Sequence, residues 1–138
     1  MTDTLVDTNV LIDIFGADPT WHGWSRKRLI EAAGDGELVV NPIVYAELGA
    51  MFPTQRQLDH AMPRDRYRRE DLPWDAAFNA GRAFLSYRRS GGTKRSPLPD
   101  FYIGAHAELN GYILLTRDSE RYRQYFPALK MITPDTHP

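Results

Sequence analysis

Thr4-Leu5-Val6-Asp7-Thr8-Asn9 decides how this chain is read. A short apolar run ends in an aspartate, and two small polar residues then turn the chain toward a helix. The same order of residue types returns near the other end, where Ile113-Leu114-Leu115-Thr116-Arg117 leads into Asp118. Leu38-Val39-Val40 before Asn41-Pro42 reads as a further strand, and Met131-Ile132 before Pro134 as a last one. Short apolar strands alternating with helical stretches predict an α/β fold with a central parallel sheet. The functional crevice of such a sheet lies outside the carboxyl ends of its strands.

Helices follow from caps and periodicity. A short helical turn is expected over 9–15. Thr20, after Asp18-Pro19, is expected to cap a helix over 21–33 that Gly34-Asp35-Gly36 stops. Pro42 suits the first turn of the helix that carries Glu47, and Pro53-Thr54 separates it from one ending near Met62-Pro63. Leu72 is expected to mark a short third strand. From Trp74 onward, Ala77, Phe78, Gly81, Phe84 and Leu85 keep the spacing of an amphipathic helix. Ser90-Gly91-Gly92-Thr93 then reads as a loop. A helix opens at Asp100 and closes at Gly111, a C-cap residue, and a short one covers 119–125. No repeat or linker divides the chain, so residues 1–138 are expected to form a single domain.

With 42% hydrophobic and 25% charged residues in 138, the chain has enough apolar side chains for a core. It contains no cysteine, which excludes disulfides, thiolate catalysis and cysteine-based zinc sites and suits a reducing cytoplasm. Met1-Thr2-Asp3-Thr4 lacks the features of a signal peptide, and no apolar stretch is long enough to span a bilayer, so no membrane partner is expected. The net charge of -1 conceals an uneven distribution. Arg82, Arg88, Arg89, Lys94 and Arg95 fall between Asp75 and Asp100 with no acid among them, and Arg64, Arg66, Arg68 and Arg69 surround Tyr67. Such runs are ordinarily solvated faces; beside an acidic crevice they read better as a track for a phosphate backbone.

Four acids carry the chemistry. Asp7 and Asp118 follow strands, Asp100 opens a helix after Pro97-Leu98-Pro99, and Glu47 sits among Ile43, Val44, Ala46, Leu48 and Ala50. Taken singly, each aspartate could be a helix cap. Glu47 is harder to dismiss, because a carboxylate in apolar surroundings needs a partner or a cation. Carboxylates gathered at one crevice repel one another, raise at least one proton affinity, and suit a hard divalent cation with oxygen ligands.

This ordered set resembles the PIN-domain nucleases, and within them the toxin component of VapBC-type toxin–antitoxin pairs. Val6-Asp7-Thr8-Asn9-Val10-Leu11-Ile12-Asp13 looks like the opening strand and turn of that family. Glu47 lies in a helix similar to the one carrying its second acid, and Asp100-Phe101-Tyr102-Ile103-Gly104-Ala105 resembles the third-acid helix. Leu114-Leu115-Thr116-Arg117-Asp118 resembles the fourth-acid segment, with Tyr122, Phe126, Pro127 and Pro134 following at familiar spacings.

The resemblance implies a three-layer α/β/α sandwich and a metal-dependent endoribonuclease. Asp7, Glu47, Asp100 and Asp118 would hold Mg²⁺ or Mn²⁺, some through water. Thr8, Asn9 and Thr116 would orient those carboxylates or the waters of the ion, against the plainer reading that they cap strand ends. The implied reaction is hydrolysis of a phosphodiester to a 5′-phosphate and a 3′-hydroxyl. Single-stranded or looped RNA would thread a small acidic site more readily than a duplex, with Arg82, Arg88, Arg89, Lys94 and Arg95 as phosphate contacts. The implied partners are a cognate antitoxin and a second copy of the chain. Trp21 and Trp24, three apart on one helix, would be core residues or would face the antitoxin.

Other readings fare less well. His22, His60, His106 and His137 share no ligand spacing, and Glu120 stands where a helix favours an acid in any case. A phosphotransfer receiver needs a mid-chain strand ending in Asp, and a dehalogenase-type phosphatase needs an acid where Asn9 stands. The alternatives that remain are a PIN-like module that binds RNA or protein without cutting, and an RNA-processing nuclease.

Overall fold

Each strand of this protein is two or three residues long, so the sheet depends on register and on burial of both faces. The computed structural model describes residues 2–138. The chain runs through β1 (Thr4–Val6), α1 (Thr8–Phe15), α2 (His22–Asp35), β2 (Leu38–Val40), α3 (Pro42–Gly49) and α4 (Gln55–Ala61). It continues through β3 (Tyr67–Arg69), α5 (Trp74–Arg89), α6 (Pro99–Asn110), β4 (Ile113–Leu115), α7 (Glu120–Tyr125) and β5 (Met131–Ile132).

The strands form one wholly parallel sheet in the order β3-β2-β1-β4-β5. At its centre Leu5 pairs with Val39 on one side and Leu114 on the other. All three are completely buried, which is why these strands read as unbroken apolar runs rather than alternating ones. The first two crossovers step toward β3, whereas α5 and α6 carry the chain back across the sheet to β4. Right-handed crossovers therefore put α1 to α4 on one face and α5 to α7 on the other. The result is the expected α/β/α sandwich. The direction of winding reverses between β1 and β4, so the crevice opens beyond Val6 and Leu115.

Local chemistry sets the entry and exit of the helices around that crevice. Asn41 caps α3, its Oδ1 accepting from the backbone N–H groups of Ile43 and Val44 at 3.0 Å each, with Pro42 in the first turn. Gly111 ends α6 at φ 70°, a left-handed conformation that favours glycine. Phe101 on α6 meets Tyr87 of α5 at 5.6 Å and Tyr125 of α7 at 5.4 Å between ring centres, both edge to face. These contacts lock together the three helices of the second face.

Three expectations are corrected. Helix α2 begins at His22 and extends to Asp35 without a side-chain cap; Thr20 caps nothing, and Asp18 Oδ1 accepts from the backbone of Thr20 and Trp21 in the turn that leads into the helix. Leu72 marks no strand; it is half-buried against the core, and the third strand is β3, inside the basic segment. The basic residues of that strand are structural. Arg68 bonds Glu37, Asp3 and the Tyr112 hydroxyl, and Arg69 bonds Asp59 at 2.8 Å and covers the Tyr45 ring. An edge strand accommodates such charges readily, but their carboxylate partners lie far off in sequence. Arg68 and Arg69 are therefore committed within the protein. Among the described residues no helix is long and apolar enough to cross a membrane.

Candidate active site

Asp7 is the buried centre of the site. It is 4% exposed, and the carboxyl end of β1 delivers it there, its backbone N–H donating to Leu115 O on β4 at 2.9 Å. Its Oδ1 accepts from the Thr8 backbone N–H at 2.7 Å. Its Oδ2 accepts from the hydroxyls of Thr116 at 2.8 Å and Tyr122 at 2.9 Å, with Asn9 Nδ2 more distant at 3.4 Å. Even so, burial pushes its proton affinity up to about 7, and the negative charge of Asp100 adds to this against the lowering effect of the hydroxyl bonds.

The other acids gather around it. Glu47 projects from α3 and accepts from Thr8 Oγ1 at 2.7 Å. Asp100 lies in the first turn of α6 behind Pro99, not at the cap. Partial burial raises its pKa; Arg121, whose Nη1 stands 3.2 Å from Oδ2, opposes that rise and Asp118 adds to it. Asp118 is exposed and caps nothing, since Ser119 precedes α7. With Asp100, Glu120, Arg121 and Gln124 it lines an open cavity of about 240 Å³. The hydroxyl of Tyr122, itself buried, is driven well above the ordinary tyrosine range. Burial is the main cause, followed by the charges of Asp7 and Asp100, with Glu47 also contributing. Among the described residues the phenol itself bonds Asp7 alone, at 2.9 Å. Of the four, only Asp7 is buried; Glu47 and Asp100 are half-buried and Asp118 is exposed.

Thr8, Asn9 and Thr116 do bond carboxylates. Asn9 ties the two strand ends together, its Nδ2 reaching Thr116 Oγ1 at 3.3 Å and its Oδ1 accepting from the Arg117 backbone N–H at 3.1 Å. Tyr122 and Arg121 escaped sequence reasoning as members of the site. The only signal was their place, one turn after the fourth acid. The five expected phosphate contacts are scattered. Arg82 lies over the Phe78 ring at 5.5 Å and lines a cavity of about 390 Å³ that shares Gln124 with the acidic one. Arg88 and Arg89 end α5, and Arg88 bonds the carbonyl of Lys94 in the following loop, which also holds Arg95. His106 is wholly buried between Asn41 and Glu70, a structural position. Trp21 and Trp24 are half-exposed and pack edge to face at 6.2 Å, with Trp24 Nε1 donating to the His137 carbonyl.

Among the described residues no three acidic, histidine or cysteine side chains stand close enough to form a ready-made metal cage. The donor chemistry nevertheless fits a hard divalent cation. All the donors are oxygens, and the mutual repulsion of Asp7, Asp100 and Asp118 is what such a charge would relieve. The open spacing suits an ion that keeps part of its hydration shell, as Mg²⁺ does.

The chain belongs to the PIN domain family, whose pattern matches residues 4–127 and so spans all four acids. Comparison with curated proteins gives no match. Among solved structures, the VapBC2 complex from Rickettsia felis, bound to a DNA fragment from its promoter, has a chain similar to this one. The match has a TM-score of 0.73 at 18% identity, over 96% of this chain and 98% of the other. A toxin–antitoxin complex from Klebsiella pneumoniae is similar at 25% identity and TM-score 0.62, over 95% and 97% of the two chains. Mycobacterium tuberculosis VapC20, a sarcin–ricin-loop-cleaving toxin, is similar at 18% identity and TM-score 0.60, over 88% and 94%.

Proposed function

We propose that this PIN-domain protein is a Mg²⁺- or Mn²⁺-dependent endoribonuclease and the toxin of a toxin–antitoxin pair. The observation that carries the reading is Asp7. A capping bond to α1 engages only its Oδ1 and does not require a carboxylate to be buried at the switch point of a parallel sheet, beside further acids, with its proton affinity near neutrality. Similarity to chains of solved toxin–antitoxin complexes, and to a sarcin–ricin-loop-cleaving toxin, supports the same conclusion.

Asp7, Glu47, Asp100 and Asp118 would hold the cation, directly or through water. When bound, Mg²⁺ or Mn²⁺ supplies water activation and countercharge for a phosphoryl oxygen. The chain's own groups fix the geometry. Thr116 and Tyr122 aim Asp7, Thr8 aims Glu47, and Arg121 holds Asp100 and places a positive charge at the rim of the acidic cavity. An unpaired strand of RNA entering that open cavity would continue past Gln124 toward Arg82. The products would be a 5′-phosphate and a 3′-hydroxyl. We place the protein in the cytoplasm, where RNA and a co-produced antitoxin would meet it.

The test is cleavage of RNA by purified, partner-free protein with Mg²⁺, Mn²⁺ or EDTA, alongside Asp7→Asn and Asp100→Asn. Metal-dependent cleavage lost at least a hundredfold in both variants is expected, with mapped ends naming the target. Folded protein that binds RNA but cuts none with either metal would make it a binding module instead.

A further inference from the structure

Asp13 is an acid near the site that none of the four-acid chemistry uses. It lies on α1 with its side chain 1% exposed, and every part of its carboxylate is engaged. Oδ2 accepts from the Ser25 hydroxyl at 2.7 Å and from Arg117 Nε at 2.9 Å, and Oδ1 accepts from Arg117 Nη2 at 3.1 Å. The guanidinium thus meets the carboxylate through two parallel bonds, the geometry in which arginine confers most orientation. Arg117 also stands between Thr116, which bonds Asp7, and Asp118. Its backbone N–H donates to Asn9, and its guanidinium lies 5.5 Å over the Trp21 ring. Although it borders an open cavity of about 540 Å³ beside Asp118, its charge is turned inward and is not free for a phosphate.

A largely buried ion pair gains little stability over a packed apolar pair, because desolvating the charges offsets their attraction. What this one supplies is position. Asp118 is exposed, so no burial of its own holds it; its backbone N–H donates to Thr116 Oγ1 at 3.2 Å and its carbonyl lies 3.1 Å from the same hydroxyl, a local tie within its own loop. Helix α1, by contrast, starts at its cap Asp7 and carries Asp13 on the next turns. One rigid element therefore presents the first acid and grips the residue preceding the fourth.

We propose that Asp13 and Arg117 are positioning residues that clamp the loop bearing Asp118 onto α1, and so set the spacing between the Asp7 and Asp118 carboxylates for a divalent cation. The proposal rests on the metal-dependent reading of the site.

Mn²⁺ binding tests it, measured by paramagnetic resonance of the free ion on the full chain, with melting temperature recorded for each protein. Asp13→Asn preserves shape and removes the charge; Arg117→Lys preserves the charge and removes the fork. Both are expected to fold and to weaken Mn²⁺ binding about tenfold or more. The double variant is expected to be no weaker than the weaker single, because one interaction is lost in all three. A pair that served stability alone would lower the melting temperature and leave the Mn²⁺ affinity of the folded protein unchanged, which would overturn the proposal. Should Asp13→Asn not fold, Arg117→Lys, at a side chain 29% exposed, decides by itself. If the wild-type protein binds no Mn²⁺, the metal-dependent reading falls, and this inference with it.

Discussion

The hydroxyl of Tyr122 donates to Asp7 Oδ2 at 2.9 Å, joining α7 to the end of β1 across 115 positions of chain. Both side chains are buried, so neither has water to fall back on. The bond stabilises the ionised form of Asp7, and burial first, with the nearby carboxylates second, keeps the phenol protonated. Replacing Tyr122 with Phe removes one of the two hydroxyl donors to Oδ2. It should cost about 1–3 kcal/mol of stability at pH 8 and move the Asp7 pKa further up. Urea unfolding and carboxyl ¹³C titration of the metal-free protein would measure the two effects.

Asp7 also predicts how stability depends on pH. Its pKa rises from 3.8 to about 7 on folding, with burial the main cause. Between those values the folded chain keeps a proton that the unfolded chain has released. The unfolded state then binds fewer protons, so stability must fall as pH rises, by up to about 1.4 kcal/mol per pH unit from this group. Asp3, Asp18 and Asp59 have lowered pKa values, held down chiefly by hydrogen bonds. Their contribution is lost on acidification below about 4, outside this window. Metal-free protein should thus be more stable at about pH 5.5 than at about pH 7.5, and Asp7→Asn should flatten that slope. Stabilisation by added Mg²⁺ should grow with pH, because the cation needs the ionised carboxylate.

Gly104 is fixed by contact rather than by backbone conformation. A Cβ there would stand 2.6 Å from two ring carbons of Phe126 and 3.1 Å from Cδ1 of Tyr122. Gly104→Ala should therefore destabilise the chain by about 1–3 kcal/mol. It should also reduce RNA cleavage, because the methyl that displaces Phe126 also presses on the neighbouring Tyr122 ring, which holds Asp7. Cleavage unchanged in a destabilised variant would show that the strain is absorbed by Phe126 alone.

Trp74 is 91% exposed and Phe78 65% exposed on α5, and Leu85 continues the same face two turns later. An apolar stripe of this kind marks a contact surface, and we expect it to be where two copies meet. On that proposal the unaltered chain should sediment as a dimer, and Phe78→Glu as a monomer with an unchanged circular dichroism spectrum. A dimer that persists would place the interface on another face.

Much of this was legible beforehand because it is local. Apolar runs of a few residues between Gly, Pro and capping side chains determine strands and helices, and four of the five strands were read where they lie. The exception is instructive. Tyr67-Arg68-Arg69 carries two charges in three residues and looks like a basic surface. It becomes a strand because Glu37, Asp3 and Asp59 neutralise it from other elements. As candidates, Asp7, Asp100 and Asp118 were legible through their placement at element ends, and Glu47 through the apolar residues around it. Tyr122, Arg121 and Asp13 were not, since a lone tyrosine, arginine or aspartate on a helix carries no mark of what it will face.

The sequence by itself determined the order of elements, the parallel α/β class and the acids that the chain brings to one end of its sheet, because each depends on short-range pattern and on the hydrophobic demand for two covered faces. Tertiary structure alone decided which acid is buried and which exposed, which hydroxyls aim Asp7, and which arginines are committed inward and which remain free. Those outcomes depend on distances between residues as far apart as Asp7 and Tyr122, and on the desolvation that packing imposes on them.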